Sequence, residues 1–225
     1  METEENFRTR NARIKRAKTR ARILAAAFGL FEARGIDATT IDDVRIEAGL
    51  SRGSIYNYFP TFDAMLRDMA AHMVMQLNAE QSAYFDGLDS PIERICCNIR
   101  YSIGRIASDR VGAEVLLRVL PLIGPPTEAM RKHAAANIEK AQKLGLVRVP
   151  SLQVALELGY GLVTALVQRG MNSGITSKDI NAGAQMLMRA FGIDDSEAER
   201  LAKIRLPVPP AGQLRDAVLA NPAET

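Results

Sequence analysis

One short stretch, Ser51-Arg52-Gly53-Ser54-Ile55-Tyr56-Asn57-Tyr58-Phe59-Pro60-Thr61, carries the side chains best suited to chemistry. An arginine can make two parallel hydrogen bonds to guanine and an asparagine can do the same to adenine, while a helix start attracts phosphate. Tyr56 and Tyr58 add hydroxyls that reach phosphate, and Phe59 adds an apolar anchor. Arg52, Gly53, Ser54, Tyr56, Asn57 and Tyr58 make this segment too polar and too short to be mainly core. The same spacing also fits a plain helical corner. Upstream lies a second chemical signal: Arg8, Arg10, Arg13, Lys15, Arg16, Lys18, Arg20 and Arg22 with no acid among them. Such a run is either a solvated tail or a partner for a polyanion, through phosphate neutralisation and counterion release.

The elements that must position these groups are all helical in pattern. Ile23, Leu24, Ala27, Phe28 and Phe31 place one apolar stripe on a first helix that Gly35 ends. Thr40 with Asp43 three residues later is a capping-box start for a second helix, which Gly49 stops. Ser51 caps a third, closed by Pro60, and Thr61 caps a fourth that carries Met65, Met69, Met73 and Leu77 toward Gly87. Two short helices joined by a glycine turn form a helix-turn-helix over residues 41–58, with Val44, Ala48, Leu50 and Ile55 locking the pair.

Further along, Pro91 opens a fifth helix to about residue 108, and 111–120 reads as a sixth. A Gly124-Pro125-Pro126 break precedes a seventh over 127–144. Helices over 151–170 and 177–192 follow, the first apolar almost all round and therefore in need of cover on more than one side. After Arg205 the prolines predict irregular chain, with one or two turns available over 213–219.

Composition bounds the rest. With 225 residues, 47% hydrophobic and 24% charged, the chain can bury a sizeable core. The first residues are acidic, without the apolar run of a secretory signal, and the longest apolar stretch, 154–167, is interrupted by Glu157 and too short for a bilayer. Cys96 and Cys97 are adjacent, which excludes a disulfide framework and suits a cytoplasmic setting. Their neighbours Ile95 and Ile99 predict burial rather than thiol reactivity. His72 and His133 have no cysteine or carboxylate cluster at ligand spacing, so no metal and no cofactor is expected. No nucleophile–base pair, phosphate loop or paired catalytic carboxylates point to an enzyme.

The run Ala48-Gly49-Leu50-Ser51-Arg52-Gly53-Ser54-Ile55-Tyr56-Asn57-Tyr58-Phe59-Pro60 resembles the recognition-helix signature of the TetR family of regulators. The segments Thr39-Thr40-Ile41-Asp42-Asp43-Val44 and Ala25-Ala26-Ala27-Phe28-Gly29-Leu30-Phe31-Glu32-Ala33-Arg34-Gly35 fit the same pattern, and the strong match covers residues 19–69. The resemblance implies an all-α chain: a three-helix DNA-binding head with a helix-turn-helix, then a larger helical ligand-binding and dimerisation domain. In residue terms that is a basic extension over 1–18, a head over 19–62, a body over 63–206 and a tail over 207–225. It implies a homodimer through the helices at 151–170 and 177–192, gripping palindromic double-stranded operator DNA as a repressor until a small-molecule effector releases it. A helical enzyme and a non-specific architectural DNA binder are the rival readings.

Carried over by position, Arg52, Ser54 and Asn57 face base edges, and Thr40, Tyr56 and Tyr58 hold phosphates, with Gly53 and Thr61 beside them. Two residues depart from the family pattern. Phe62 stands where a lysine is usual, and Arg45 stands where the helix crossing usually has a small residue. Arg45 is expected either to widen the crossing or, preferably, to bend outward to phosphate. The basic extension is expected to enter the adjacent minor groove. In the body, the effector contacts implied are Met73, Tyr84 and Phe85 on the fourth helix and Cys96 and Tyr101 on the fifth. Leu116 and Leu120 follow on the sixth, then Met130, His133 and Asn137 on the seventh. Ordinary core packing is the alternative for each. Arg94, Arg100 and Arg105 offer charge to an acidic ligand or are exposed helix charge.

Overall fold

The computed structural model describes residues 2–123 and 128–219, and all regular elements among the described residues are helices. The expected break at Gly124, Pro125 and Pro126, and the start at Thr127, lie outside the described residues. The chain divides into two compact units, residues 1–73 with 215–225, and residues 74–214.

The first unit contains α1 (Glu2–Arg34), α2 (Ile41–Glu47), α3 (Arg52–Tyr58), the first half of α4 (Phe62–Phe85) and α11 (Asp216–Leu219). The apolar stripe of α1 is buried throughout, from Ile23 to Phe31, and Val44, Ile55, Met65 and Met69 are buried with it. The basic run does not form a tail apart from this helix; it is the N-terminal half of α1. The reason is local: between Glu2 and Arg34 there is no proline and one glycine, and arginine, lysine and alanine are strong helix formers. The short helix α11 docks on α1: Val218 is buried, Arg215 pairs with Glu32, and its guanidinium lies 6.0 Å from the centre of the Phe28 ring.

The second unit is organised around α5 (Pro91–Ala107), which Ser90 caps and Pro91 starts. It packs against α6 (Arg110–Ile123), α7 (Glu128–Lys143), α8 (Leu152–Ser173), α9 (Ser177–Ala190) and α10 (Asp195–Lys203). Ile92, Ile95 and Cys96 share a core with Ile138 of α7, Leu156 of α8, Leu187 of α9 and Leu201 of α10. The sequence reading missed α10. Its signals are the Asp194 cap on the Glu197 N–H, acids in its first turn and Arg200 with Lys203 in its last, but its buried stripe is short, Ala198, Leu201 and Ala202, in a mostly polar segment of nine residues.

A buried charge cluster ties α4 to α5. The Arg105 guanidinium donates twice to Glu80, both at 3.0 Å, the Tyr101 hydroxyl donates at 2.7 Å and Gln76 at 3.0 Å. Burial alone would raise the Glu80 carboxyl, but these donors together hold it below its ordinary value. Arg105 also donates to the Gly212 carbonyl at 2.9 Å. Removing one partner of a pair only 4% exposed on each side strands a charge. Arg105→Met should therefore cost about 3–5 kcal/mol in urea unfolding, and combining it with Glu80→Leu and Tyr101→Phe should recover most of that loss. A single variant as stable as the parent would contradict this account.

Candidate nucleic-acid interface

The third helix has one residue that points fully inward, Ile55, and the chain leaves it through the buried Phe59. Everything else follows from that anchor. With Ile55 buried, Arg52, Gly53, Tyr56 and Asn57 fall on the outward arc and are exposed, Tyr56 to 40%. Ser54 and Tyr58 sit on the flanks, half-buried. Ser51 caps the helix by accepting the Ser54 N–H at 3.3 Å, and the two hydroxyls are bonded at 2.8 Å.

The turn before α3 needs a positive φ, and Gly49 takes +61°. Its N–H bonds the Ile46 carbonyl and the Leu50 N–H bonds the Arg45 carbonyl, both at 3.0 Å. At Gly53 the freedom is steric instead. An added Cβ there would meet no other protein atom within 4 Å, so nothing inside the chain requires glycine at this outward position.

Thr40 closes a full capping box: its hydroxyl accepts the Asp43 N–H at 3.2 Å and donates to the Asp43 carboxylate at 2.6 Å, while its own N–H donates to that carboxylate at 2.8 Å. Arg34 adds an ion pair at 2.9 Å. Thr40 is exposed, but its hydroxyl proton is given to Asp43. Thr61, also exposed, caps α4 by accepting the Ala64 N–H at 3.0 Å.

The two departures from the family pattern have local explanations. Phe62 packs edge-on against Phe31, ring centres 6.0 Å apart, so it seals α4 to α1. Arg45 folds along the head, donating to Asp42 at 2.6 and 3.3 Å and to the Leu50 carbonyl at 3.1 Å, which clamps the turn. The sequence reading did not foresee Arg16, whose guanidinium lies 5.5 Å from the centre of the Tyr58 ring. Its signal was position within the basic run; its target needed the fold. Arg20 is consumed internally, bonded to Asp68, His72 and the Val218 carbonyl. Lys15, Lys18 and Arg22 line an exposed face of α1 at three- and four-residue spacing, with Arg10 and Arg13 also exposed.

The residues expected around an effector are spread through the helices. Met73 is buried in the first unit. Tyr84, Phe85 and Tyr101 form an aromatic trio with ring centres 5.7–6.1 Å apart. Cys96, Leu116 and Asn137 are buried and His133 is half-buried. The side chains of Leu120 and Met130 lie outside the described residues. Burial pushes the Cys96 thiol up to about 12 and the Cys97 thiol to about 11, opposed by the Arg100 charge, so neither is a ready thiolate. Arg100 is spent on Asn181 at 2.9 Å and on the Ile204 carbonyl at 2.8 Å.

A short polar helix held on a buried anchor after a glycine turn defines a helix-turn-helix of the DNA-binding kind. Residues 23–69 match the family model for bacterial regulatory proteins of the tetR family. The HTH-type transcriptional repressor KstR2 of Mycolicibacterium smegmatis is 29% identical over 79 residues, 35% of this chain and 38% of that protein. The regulator HbdR of Aromatoleum sp. is 35% identical over 77 residues, 34% of each chain. The match thus spans little more than a third of these relatives. The fold extends further: the crystal structure of RolR in complex with resorcinol superposes with a TM-score of 0.67 over 86% of this chain and 97% of that one, at 23% identity. Among the described residues no helix is long and apolar enough to cross a membrane.

The capping box makes acid sensitivity a direct check of the head. Hydrogen bonds from the Thr40 hydroxyl, then from its backbone N–H and from Arg34, lower Asp43 from 3.8 to about 2. A folded value below the unfolded one stabilises fully above about pH 4 and fades as the pH falls toward 2. Asp43→Asn should melt below the parent at neutral pH, with the gap closing over that window. A gap that stays constant to about pH 2 would remove the carboxylate's charge from the explanation.

Proposed function

We propose that this chain is a ligand-responsive transcriptional repressor that acts in the cytoplasm as a homodimer on palindromic operator DNA. The observation that carries the reading is the outward arc of α3, where Arg52, Gly53, Tyr56 and Asn57 stand exposed over the buried Ile55. The division into an extension over 1–18, a head over 19–62, a body over 63–206 and a tail over 207–225 belongs to the same proposal. Arg52 and Asn57 read base edges, Ser54 adds a contact from the flank, and Tyr56, Tyr58, Thr40 and Thr61 hold backbone phosphates. Arg45 supports the turn and reaches phosphate only by giving up Asp42. Gly53 keeps the surface low where the duplex must come close.

Dimerisation is supported by apolar side chains that the single chain leaves uncovered. Val154 and Leu158 on α8 are each 51% exposed one turn apart, and Met186 on α9 is 69% exposed. The two helices approach closely, since a Cβ at Gly183 would stand 2.7 Å from Leu166. A two-fold dimer then sets two recognition helices roughly 34 Å apart, one turn of DNA. That an effector acts on the body is supported by the likeness in fold to RolR, which was crystallised with resorcinol, and repression by the likeness of the head to KstR2.

Gel shifts with the DNA flanking its own gene test the proposal: a specific, salt-sensitive band is expected, and its absence overturns the reading. Arg52→Ala should weaken the band by about 1–3 kcal/mol and relax preference at one base pair. Gly53→Ala should raise the stability of the free protein by about 0.5–1 kcal/mol while weakening DNA binding.

The helical extension adds phosphate contacts in a fixed direction rather than as a threaded arm, with Arg16 held over Tyr58. Deleting residues 2–13 removes Arg8, Arg10 and Arg13. The slope of log K against log salt should then fall by up to about 3 units per protomer with site preference intact. An unchanged slope would leave the extension outside the complex.

A further inference from the structure

The polar face of α5 is satisfied at one end and orphaned at the other. Arg94, Asn98, Tyr101, Ser102 and Arg105 recur at three- and four-residue spacing and share that face. Over its C-terminal half the partners come from α4: Tyr101 and Arg105 bond Glu80, and Gln81 donates to the Ser102 hydroxyl at 2.7 Å and to the Asn98 carbonyl at 3.0 Å. Over its N-terminal half the partners stop. Arg94 Nε and Asn98 Oδ1 are shielded from water and bonded to nothing in the chain. Two atoms on adjoining helices share that condition, His133 Nε2 on α7 and the Tyr160 hydroxyl on α8. His133 stands 3.7 Å from Asp86, beyond hydrogen-bond reach.

These four are the orphaned side-chain atoms found among the described residues, and they come from three helices that pack on one another. Folded proteins pair nearly all such atoms, so exceptions on helices that pack on one another point to a missing partner. The chemistry of the partner follows from the atoms. Arg94 Nε is a donor and requires an oxygen acceptor; Asn98 Oδ1 is an acceptor and requires an O–H or N–H; the Tyr160 hydroxyl serves either role. On the same helices α5 and α7, Ile99, Ala134 and Ala135 are apolar and only partly buried, and a ring is the kind of group that such side chains cover. The effector contacts implied by family position omitted Asn98 and Tyr160 because their orphaned state is invisible in sequence.

We propose that Arg94, Asn98, His133 and Tyr160 form the polar cradle of the effector site, and that the effector is a small hydroxylated aromatic molecule bearing both a hydroxyl donor and an oxygen acceptor. This rests on the effector reading given above. Calorimetric titration of the full chain with resorcinol, 3-hydroxybenzoate and, as an apolar control, toluene tests it. At least one hydroxylated probe should bind at least about tenfold more tightly than toluene, because a site built to hydrogen-bond rejects a ligand that cannot. Arg94→Met, Asn98→Leu and Tyr160→Phe should each weaken that probe by about tenfold or more. Without ligand, Asn98→Leu and Tyr160→Phe should melt no lower than the parent, since each removes an unpaired polar group. A merely structural role predicts the reverse. Unchanged probe affinity in the variants, lower melting without ligand, or no binding of either hydroxylated probe at millimolar concentration would each overturn the proposal. Gel shifts on the same samples separate the two readings. Specific operator binding with probe affinity unchanged in the variants discards the cradle alone, whereas loss of specific operator binding by the parent discards the repressor.

Discussion

Seven residues are too few to hold a helix in water, and α3 is seven residues long. Its existence depends on burying Ile55, on passing the chain inward again at Phe59, and on the Ser51 cap. That one constraint orders the whole head. The side chains available for recognition are those that the anchor leaves outside, and they contribute little to holding the helix. Stability therefore has to come from elsewhere: from the α1 stripe, from the Thr40–Asp43 box that starts α2, and from the Gly49 turn that brings the two short helices together.

The same logic sorts the arginines. Arg20, Arg34, Arg45 and Arg215 are held by carboxylates within the first unit, to Asp68, Asp43, Asp42 and Glu32 respectively. They act as ties between elements. Among the described residues Lys15, Lys18 and Arg22 on α1 show no such ion pair, and as extra positive charge on a small unit they raise its self-repulsion. The charge that ties elements together is thus neutralised, while the charge along this face of α1 is left to solvent.

Much of this was legible in sequence because short-range rules set it. Thr40 with Asp43, Ser51, Gly35, Gly49 and Pro91 mark helix ends by local chemistry, and the α1 stripe has a clear helical period. What escaped notice depended on contacts between distant residues. Arg45 has no sequence signal for its bond to the Leu50 carbonyl, and Phe62 reads as a lost lysine until Phe31 is found opposite it. Arg100 and Arg105 read as exposed or ligand-seeking charge, yet both are buried and bound to partners 81 and 25 residues away. The helix α10 escapes for a different reason: its apolar stripe is only Ala198, Leu201 and Ala202, two of them alanines, in a mostly polar segment of nine residues.

The body shows why a polar stripe in a core is informative only once its partners are counted. A fully paired stripe, such as Tyr101 and Arg105 on Glu80, rigidifies and specifies packing. An unpaired one costs stability, because buried polar atoms lose water without gaining a partner. The two halves of the α5 stripe are therefore not equivalent, although their residue types are alike. The paired half meets Glu80 and Gln81 of α4, whereas Arg94 Nε and Asn98 Oδ1 on the other half have no hydrogen-bond partner in the chain.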